Sequence, residues 1–345
     1  MTDERVHDAV LALDPLLPDA EADAVVAAWK AFPRYGLYSN EGFETQYAPD
    51  LAQRYDAVVN FIQTGGRFGR KGEGLDLLLA RTNYFRDTYA YGDDVFAPDL
   101  AFLMHHPRLM EAARALHGRA VIEPSILYAN VMVPGQELAV HTDVPEFRGA
   151  NRKILPQWLL VVMRHSGLFE AWRMPIATGI CYFGGGTGGE LAYYPAGADG
   201  PAATFTPRHN TAAMLDTDSI FHGVDRVGGD ESRLASLAPG MTIGHDGDDV
   251  WTVRNGGPAA SYGTDELRLS ISWKAYCFAD EAEREAWAAH TDDLGLDVIL
   301  DTLEADLAAR GSLAGDRPEP AAFGRMLIDE YVRFPAAVPE SGAAG

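Results

Sequence analysis

The spacing of apolar positions divides the chain into three stretches. From residue 1 to about 118 the pattern is mainly helical: Ala22 to Ala31 is a run of good helix formers, and Pro107 to His117 opens on a proline suited to a first turn and stops at Gly118. From about 120 to 278 it changes to short β-branched and aromatic runs between Gly, Pro, Asn and Asp clusters, which predicts an antiparallel sandwich or barrel. Asn151 to Trp172 interrupts these runs with Trp158 to Met163, too apolar for a solvent loop, and reads as an inserted lid or packing helix. After Phe278, Asp280 to Arg310 and Ala321 to Phe334 read as helices, and the closing PAAVPESGAAG has too little apolar content to order. The expected organisation is α+β: a mainly β catalytic core at 119–278 with insertions at about 144–180 and 228–264, a mainly helical flank at 1–118 packed on it, and C-terminal helices with a tail at 279–345.

Within the β stretch, His141 and Asp143 sit two apart. Residues i and i+2 of a strand share a face, so one segment presents an imidazole and a carboxylate to one point. His222, in the apolar run Ser219 to Val224, is the candidate for a second histidine from a neighbouring strand. Together they make a facial two-histidine, one-carboxylate set with open positions suited to Fe(II). Spacing alone proves little for so short a motif. A second copy, His290-Thr291-Asp292, lies in a polar helical stretch with no histidine after it, and reads as a solvated helix end.

Charge and cysteine usage narrow the partners. With 28 basic against 50 acidic residues the formal charge is −22, a field that repels a phosphate backbone and argues against a nucleic-acid substrate. The opening MTDERVHDAV is charged throughout, and no run approaches the roughly 20 apolar residues of a membrane span. The expectation is a cytoplasmic protein that uses no membrane. Cys181 and Cys277 lack C-x-x-C spacing and lie in apolar runs, so they read as buried free thiols.

Three segments carry a resemblance. Tyr128 to Leu138, with its Pro134-Gly135 turn leading into His141-Thr142-Asp143, resembles the first ligand strand of the Fe(II)/2-oxoglutarate-dependent oxygenases. Gly188-Gly189-Glu190-Leu191 followed by Tyr193-Tyr194-Pro195 is similar to a strand of their double-stranded β-helix, and Phe221 to Val227 resembles their distal histidine strand. The segments occur in the family's order, and agreement across several weak motifs outweighs any one. The resemblance implies a double-stranded β-helix (jelly-roll, cupin-like) core, metal ligation by His141, Asp143 and His222, and Fe(II), 2-oxoglutarate and O₂ as cofactor and co-substrates. It also implies hydroxylation, desaturation or cyclisation of a small metabolite or natural-product intermediate, with release of succinate and CO₂. Asp143 fills the carboxylate slot, so no halide position is left.

In that family a basic residue of the last core strand holds the far carboxylate of 2-oxoglutarate, since a guanidinium meets a carboxylate through two parallel hydrogen bonds. Arg226, Arg233, Arg254 and Arg268 compete. Arg233 follows His222 at a spacing often seen, but Leu234 to Gly240 does not continue as a core strand. Arg268 opens a period-2 alternation through Tyr276 that puts Arg268, Ser270 and Ser272 on one face. Arg268-x-Ser270 resembles the carboxylate clamp of some members, at the cost of a long insertion after His222. Arg268 is taken as the anchor, with Ser270 beside it; Asn130, two residues from Tyr128 on the same face, reads either as an amide pointing inward near the co-substrate or as a satisfied core amide.

Other signals carry less. Gly184 to Gly189 satisfies G-x-G-x-x-G but is followed by a strand pattern, whereas a dinucleotide fingerprint must open a helix. No Walker A lysine, G-x-S-x-G elbow or EF-hand spacing is present. His105 and His106 read as a capped turn, and His165, His209 and His245 as solvated side chains. The insertions at 144–180 and 228–264 are expected to cover the mouth of the site, where Arg152, Lys153, Arg164 and Arg173 would attract an acidic or amino-acid-like group. Two rivals remain: a cupin-like metalloenzyme that does not use 2-oxoglutarate, and a non-enzymatic β-sandwich binding protein.

Overall fold

The computed structural model describes residues 5–7, 10–38, 83–228, 237–238 and 240–335. In chain order the strands are β1 (Arg5–His7), β2 (Val10–Leu13), β3 (Tyr35–Leu37), β4 (Phe85–Tyr91), β5 (Asp94–Val95), β6 (Val121–Met132), β7 (Leu138–His141), β8 (Glu146–Phe147) and β9 (Arg173–Met174). They continue with β10 (Ile176–Phe183), β11 (Leu191–Tyr194), β12 (Ala203–Phe205), β13 (Thr211–Leu215), β14 (Phe221–Val224), β15 (Thr242–His245), β16 (Val250–Arg254), β17 (Pro258–Gly263) and β18 (Arg268–Phe278). The α-helices are α1 (Asp19–Ala31), α2 (Pro107–His117), α3 (Gln157–Ser166), α4 (Glu281–Ala288), α5 (Leu296–Arg310) and α6 (Pro320–Tyr331).

The centre of the large sheet runs β13-β10-β18-β6, and a smaller sheet runs β12-β11-β14-β7. Along the chain β6 lies in the first sheet, β7 in the second, β10 in the first, β11 and β12 in the second, β13 in the first, β14 in the second and β18 in the first. All their pairings are antiparallel. This alternation between two four-stranded sheets is the double-stranded β-helix, or jelly roll.

Strand β18 shows why the two faces differ. Leu269, Ile271, Trp273, Ala275 and Cys277 enter the main hydrophobic core with Val25 and Trp29 of α1 and Leu109 of α2. Trp273 completes its burial by donating Nε1–H to the Met104 carbonyl at 2.8 Å. The alternate positions Arg268, Ser270, Ser272 and Lys274 face the inside of the jelly roll.

The helical reading of residues 1–118 is incomplete. α1 and α2 form as expected, with Gly118 in the left-handed conformation at the end of α2, but this stretch also contributes β1 to β5. β2 pairs with β13 and β4 with β6, widening the core sheet on both sides. Phe85–Tyr91 (FRDTYAY) is aromatic and β-compatible, and its ladder partner decides its state. The helical reading of Asp280 to Arg310 is broken at Gly295, which stands as N-cap of α5. α3, α5 and α6 bury their apolar faces on one another in a second core that includes Trp158, Leu303 and Leu327. The described part of 228–264 forms β15, β16 and β17, a meander joined through β3 that lengthens the large sheet at its edge. Arg233 and the tail at 336–345 lie outside the described residues. Cys181 and Cys277 are buried free thiols.

Candidate metal centre

His141 ends β7, and His222 of β14 stands directly opposite it in the ladder. Their ring centroids are 4.5 Å apart. Gly223 makes this approach possible: a Cβ there would lie 2.6 Å from the Leu138 carbonyl oxygen. Each imidazole has Nδ1 against a carbonyl oxygen, His141 on Ala139 at 2.7 Å and His222 on Ile220 at 3.0 Å. A carbonyl only accepts, so each Nδ1 carries the proton and each Nε2 presents a lone pair. Those Nε2 atoms lie 3.5 Å (His141) and 3.9 Å (His222) from Asp143 Oδ1. One donor atom from each of the three residues falls within 4.8 Å of the others. Two tautomer-fixed nitrogens and a carboxylate oxygen fit one divalent cation.

Asp143 lies past the end of β7, so strand alternation does not place it. Its N–H donates to the Thr217 carbonyl at 2.8 Å, and its Oδ2 accepts from Lys274 Nζ at 2.7 Å. Lys274 is itself held by the Thr178 and Thr217 hydroxyl oxygens at 3.1 and 3.3 Å. One carboxylate oxygen thus faces the histidines and the other the ammonium. Burial alone would raise the Asp143 carboxyl, but Lys274, followed by His141 and His222, reverses this and holds it well below the usual carboxylate range. Burial, with His141 beside it, pushes His222 down to about 3, so it stays neutral as a metal ligand must. Sequence reasoning missed Lys274. The signal was present, because the alternation that flagged Arg268, Ser270 and Ser272 reaches Lys274 one step later. It also missed Asp218, fully buried with neither carboxyl oxygen hydrogen-bonded among the described residues, whose carboxyl burial pushes well above its ordinary value.

Two cavities meet at this cluster. The inner one, about 50 Å³, is walled by Asn130 and Met132 of β6, Leu191 of β11, and Arg268, Ser270 and Ser272 of β18. Arg268 is buried, its Nε–H donating to the Gly189 carbonyl at 2.7 Å and its Nη1 to Ser270 Oγ at 3.1 Å. Gly189 has φ +69°, and a Cβ there would come within 2.5 Å of Arg268 Cδ, so the Gly-Gly pair makes room for the guanidinium. Asn130 Nδ2 donates to Ser272 Oγ at 3.0 Å, leaving Oδ1 buried without a hydrogen-bond partner among the described residues. Among the described residues Arg268 is the one arginine lining this cavity. Arg226 pairs with Glu137 at 3.6 Å and Arg254 with Asp246 at 2.6 Å.

The outer cavity, about 360 Å³, shares Tyr128, His141 and Asp143 with the inner one. Val144, Glu146, Arg152, Lys153 and Gln157 line it, so the first part of the 144–180 insertion reaches the site. Its last residues also line the cavities, Ile176 the outer and Thr178 and Ile180 the inner, but as core strand β10 and not as an inserted cover. No described residue of 228–264 lines either cavity, against the expectation for that part of the insertion, and residues 229–236 and 239 lie outside the described residues. Arg164 and Arg173 are spent on ion pairs with Glu170 at 2.7 Å and Asp216 at 2.5 Å.

His165 is not solvated: its ring sits 5.3 Å from Phe221, and burial, then Arg164, pulls it down to about 4. His245 packs 5.4 Å from Trp251, whereas His209 is exposed. His290 is 74% exposed and pairs with Asp293 at 3.0 Å, in keeping with a solvated helix end. Gly184 to Gly189 leads into β11, a strand and not a helix. No described helix is long and apolar enough to cross a membrane.

No family model matches the sequence, and no curated protein matches it. Solved structures do. A 2OG-Fe(II) oxygenase family oxidoreductase from Burkholderia pseudomallei is 11% identical, with 78% of this chain and 85% of that chain covered and a TM-score of 0.41. A prolyl hydroxylase from Trichoplax adhaerens, in complex with a hypoxia inducible factor peptide, is 11% identical over 81% of this chain and 86% of that one, at 0.41. HygX from Streptomyces hygroscopicus, with nickel, 2-oxoglutarate and hygromycin B bound, is 11% identical over 78% and 83%, at 0.37. These likenesses are distant, and what the chain does has to be read from its own site.

Proposed function

We propose that this chain is an Fe(II)- and 2-oxoglutarate-dependent oxygenase acting on a small organic molecule. The observation that carries this is the position of the donor set, at the junction of a small cavity ending on a buried arginine and a larger cavity next to it. His141, Asp143 and His222 would hold Fe(II), which when bound supplies the redox chemistry coupling decarboxylation of 2-oxoglutarate by O₂ to substrate oxidation, with succinate and CO₂ as products. The chain's own residues supply binding, orientation and dryness. The Arg268 guanidinium receives the far carboxylate of the co-substrate as a charge-assisted pair in a site with little water to compete. Ser270 holds the Arg268 fork in place, and Asn130 offers its amide to the same cavity. Lys274 keeps Asp143 ionised and takes one of its oxygens, leaving the other for the metal. Substrate enters the outer cavity, which brings it to His141 and Asp143. Hydroxylation is the simplest outcome, and placement of the substrate in that cavity decides between it and desaturation or cyclisation.

The test is succinate release from 2-oxoglutarate with Fe(II) and O₂. Wild type is expected to release succinate slowly without added substrate. Arg268→Ala should raise the KM for 2-oxoglutarate by roughly 10- to 100-fold, the worth of one or two hydrogen bonds to a charged group. Metal-dependent activity with no succinate would favour the cupin-like alternative, and no metal binding would favour a binding protein.

A further inference from the structure

Asp143 and His222 come from distant parts of the chain, yet both are hydrogen-bonded to one short turn. Residues 216–220 join β13 to β14. The Thr217 carbonyl accepts the Asp143 backbone N–H at 2.8 Å, and the Ile220 carbonyl accepts His222 Nδ1–H at 3.0 Å. Thr217 Oγ1 also receives Lys274 Nζ at 3.3 Å, the ammonium that holds Asp143 Oδ2. The setting of this turn therefore enters the aim of two of the three proposed metal ligands.

Asp216 closes the turn. Its carbonyl accepts the N–H groups of Ser219 and Ile220 at 3.2 and 3.0 Å, and its Oδ2 accepts the Ser219 hydroxyl at 2.8 Å and Arg173 Nη2 at 2.5 Å. Ser219 Oγ in turn accepts from Arg164 Nη2 at 2.9 Å. A guanidinium only donates, so the one Ser219 hydroxyl proton is left for Asp216. Asp218, in the same turn, makes no side-chain hydrogen bond among the described residues and does not help to close it. The Arg173 and Asp216 side chains are only 14% and 15% exposed, where a charge-assisted bond meets little competition from water. Arg164 lies in the last turn of α3 and Arg173 opens β9, so both braces come from the 144–180 insertion.

We propose that Asp216, braced by Arg173 and by Arg164 through Ser219, is a positioning residue of the metal centre, because it fixes the turn on which Asp143 and His222 are aimed. Two arginines that the sequence suggested for attracting a substrate are thereby used to hold metal ligands. This rests on the oxygenase reading for its metal ligands alone. None of Arg164, Arg173, Asp216 and Ser219 lines either cavity. A substitution at one of them therefore reaches the metal through the turn, without altering the walls that receive co-substrate or substrate.

Two measurements on the full chain test it: calorimetric titration of the metal-free protein with Ni(II), and the visible d–d spectrum of the protein loaded with Co(II). Asp216→Asn removes the charge opposite Arg173 and should weaken Ni(II) binding about tenfold, as is usual for groups that orient ligands. Ser219→Ala breaks the link to Arg164 and should weaken it at least about threefold, the worth of one hydrogen bond. Both should shift the Co(II) bands, which report ligand geometry. Ser219→Thr keeps the hydroxyl and should restore affinity and spectrum. Tyr331→Phe removes a hydrogen bond to Asp306 in the second core and should leave both as in wild type, which separates aim at the metal from lost stability. Either Asp216→Asn or Ser219→Ala binding Ni(II) as tightly as wild type with unshifted Co(II) bands overturns the proposal, as does a Ser219→Thr that behaves like Ser219→Ala or a Tyr331→Phe that behaves like Asp216→Asn. A wild type that binds neither metal would sink the metal centre and the proposal together, whereas a metal-binding wild type with silent variants sinks the proposal alone.

Discussion

Replacing His141 or Asp143 by Ala should abolish Fe(II) binding while the fold persists, and His290→Ala should change nothing, as equilibrium dialysis against Fe(II) will read. The two H-x-D copies are identical in type, and only their settings separate them. His141 faces a second imidazole across a ladder, whereas His290 is on the surface. At this scale the sequence was legible where chemistry repeats a spacing, and illegible where a partner comes from far along the chain. Lys274 lies 131 residues from Asp143, and no local pattern announces that pair. Lys274→Met should destabilise the metal-free protein by about 3 kcal/mol, because it strands a largely buried carboxylate. Ni(II) should recover much of that loss by supplying the missing positive charge, and thermal melts with and without the metal measure it. Equal losses in both states would remove Lys274 from the metal site.

Elements place these groups through register and close approach. The tight contact of β14 with β7 needs Gly223, and the Arg268 side chain on β18 needs Gly189. Gly189→Ala puts a Cβ into Arg268 at a left-handed φ, a strain of about 1–3 kcal/mol. Its expected signature is at least roughly tenfold weaker 2-oxoglutarate binding with Fe(II) affinity unchanged, followed by calorimetry on the two ligands separately. The strands nearest the site were legible because one side is polar and the other apolar, as in β18. The strands of the N-terminal flank were not, since short runs such as Val10–Leu13 become strands only beside a long-range partner, here β13. Asp143 shows a related limit: the two-residue spacing was right, but loop and lysine contacts, not strand alternation, aim its carboxylate.

For the whole molecule, the change of texture near residue 120 located the jelly roll, and the ordered motifs within it located the cluster. The net charge of −22 does not say where charge lies, because composition averages over a surface that the fold sorts: among the described residues Arg86, Arg152, Lys153 and Lys274 line the outer cavity beside Asp143 and Glu146. The same sorting makes stability depend on acid. His222 is depressed from 6.5 to about 3 in the folded protein, so between those values the unfolded chain binds a proton that the native state refuses. This histidine therefore contributes no loss above pH 6.5 and about 1.4 kcal/mol of lost stability per pH unit as the pH falls below it. Denaturant melts of metal-free wild type and His222→Ala at stepped pH should show that slope as the difference between the two, because His165 and other histidines depressed by burial add their own, and bound metal should deepen the wild-type slope, since protons then compete with the ion for the ligands.

The most direct test is an anaerobic titration of the protein with Fe(II) and 2-oxoglutarate followed by visible absorbance. A charge-transfer band is expected only when both are present, lost in His222→Ala and shifted to higher 2-oxoglutarate concentration in Arg268→Ala. No band with both present, or a band that survives unchanged in His222→Ala, would contradict an iron site at His141, Asp143 and His222 that chelates 2-oxoglutarate.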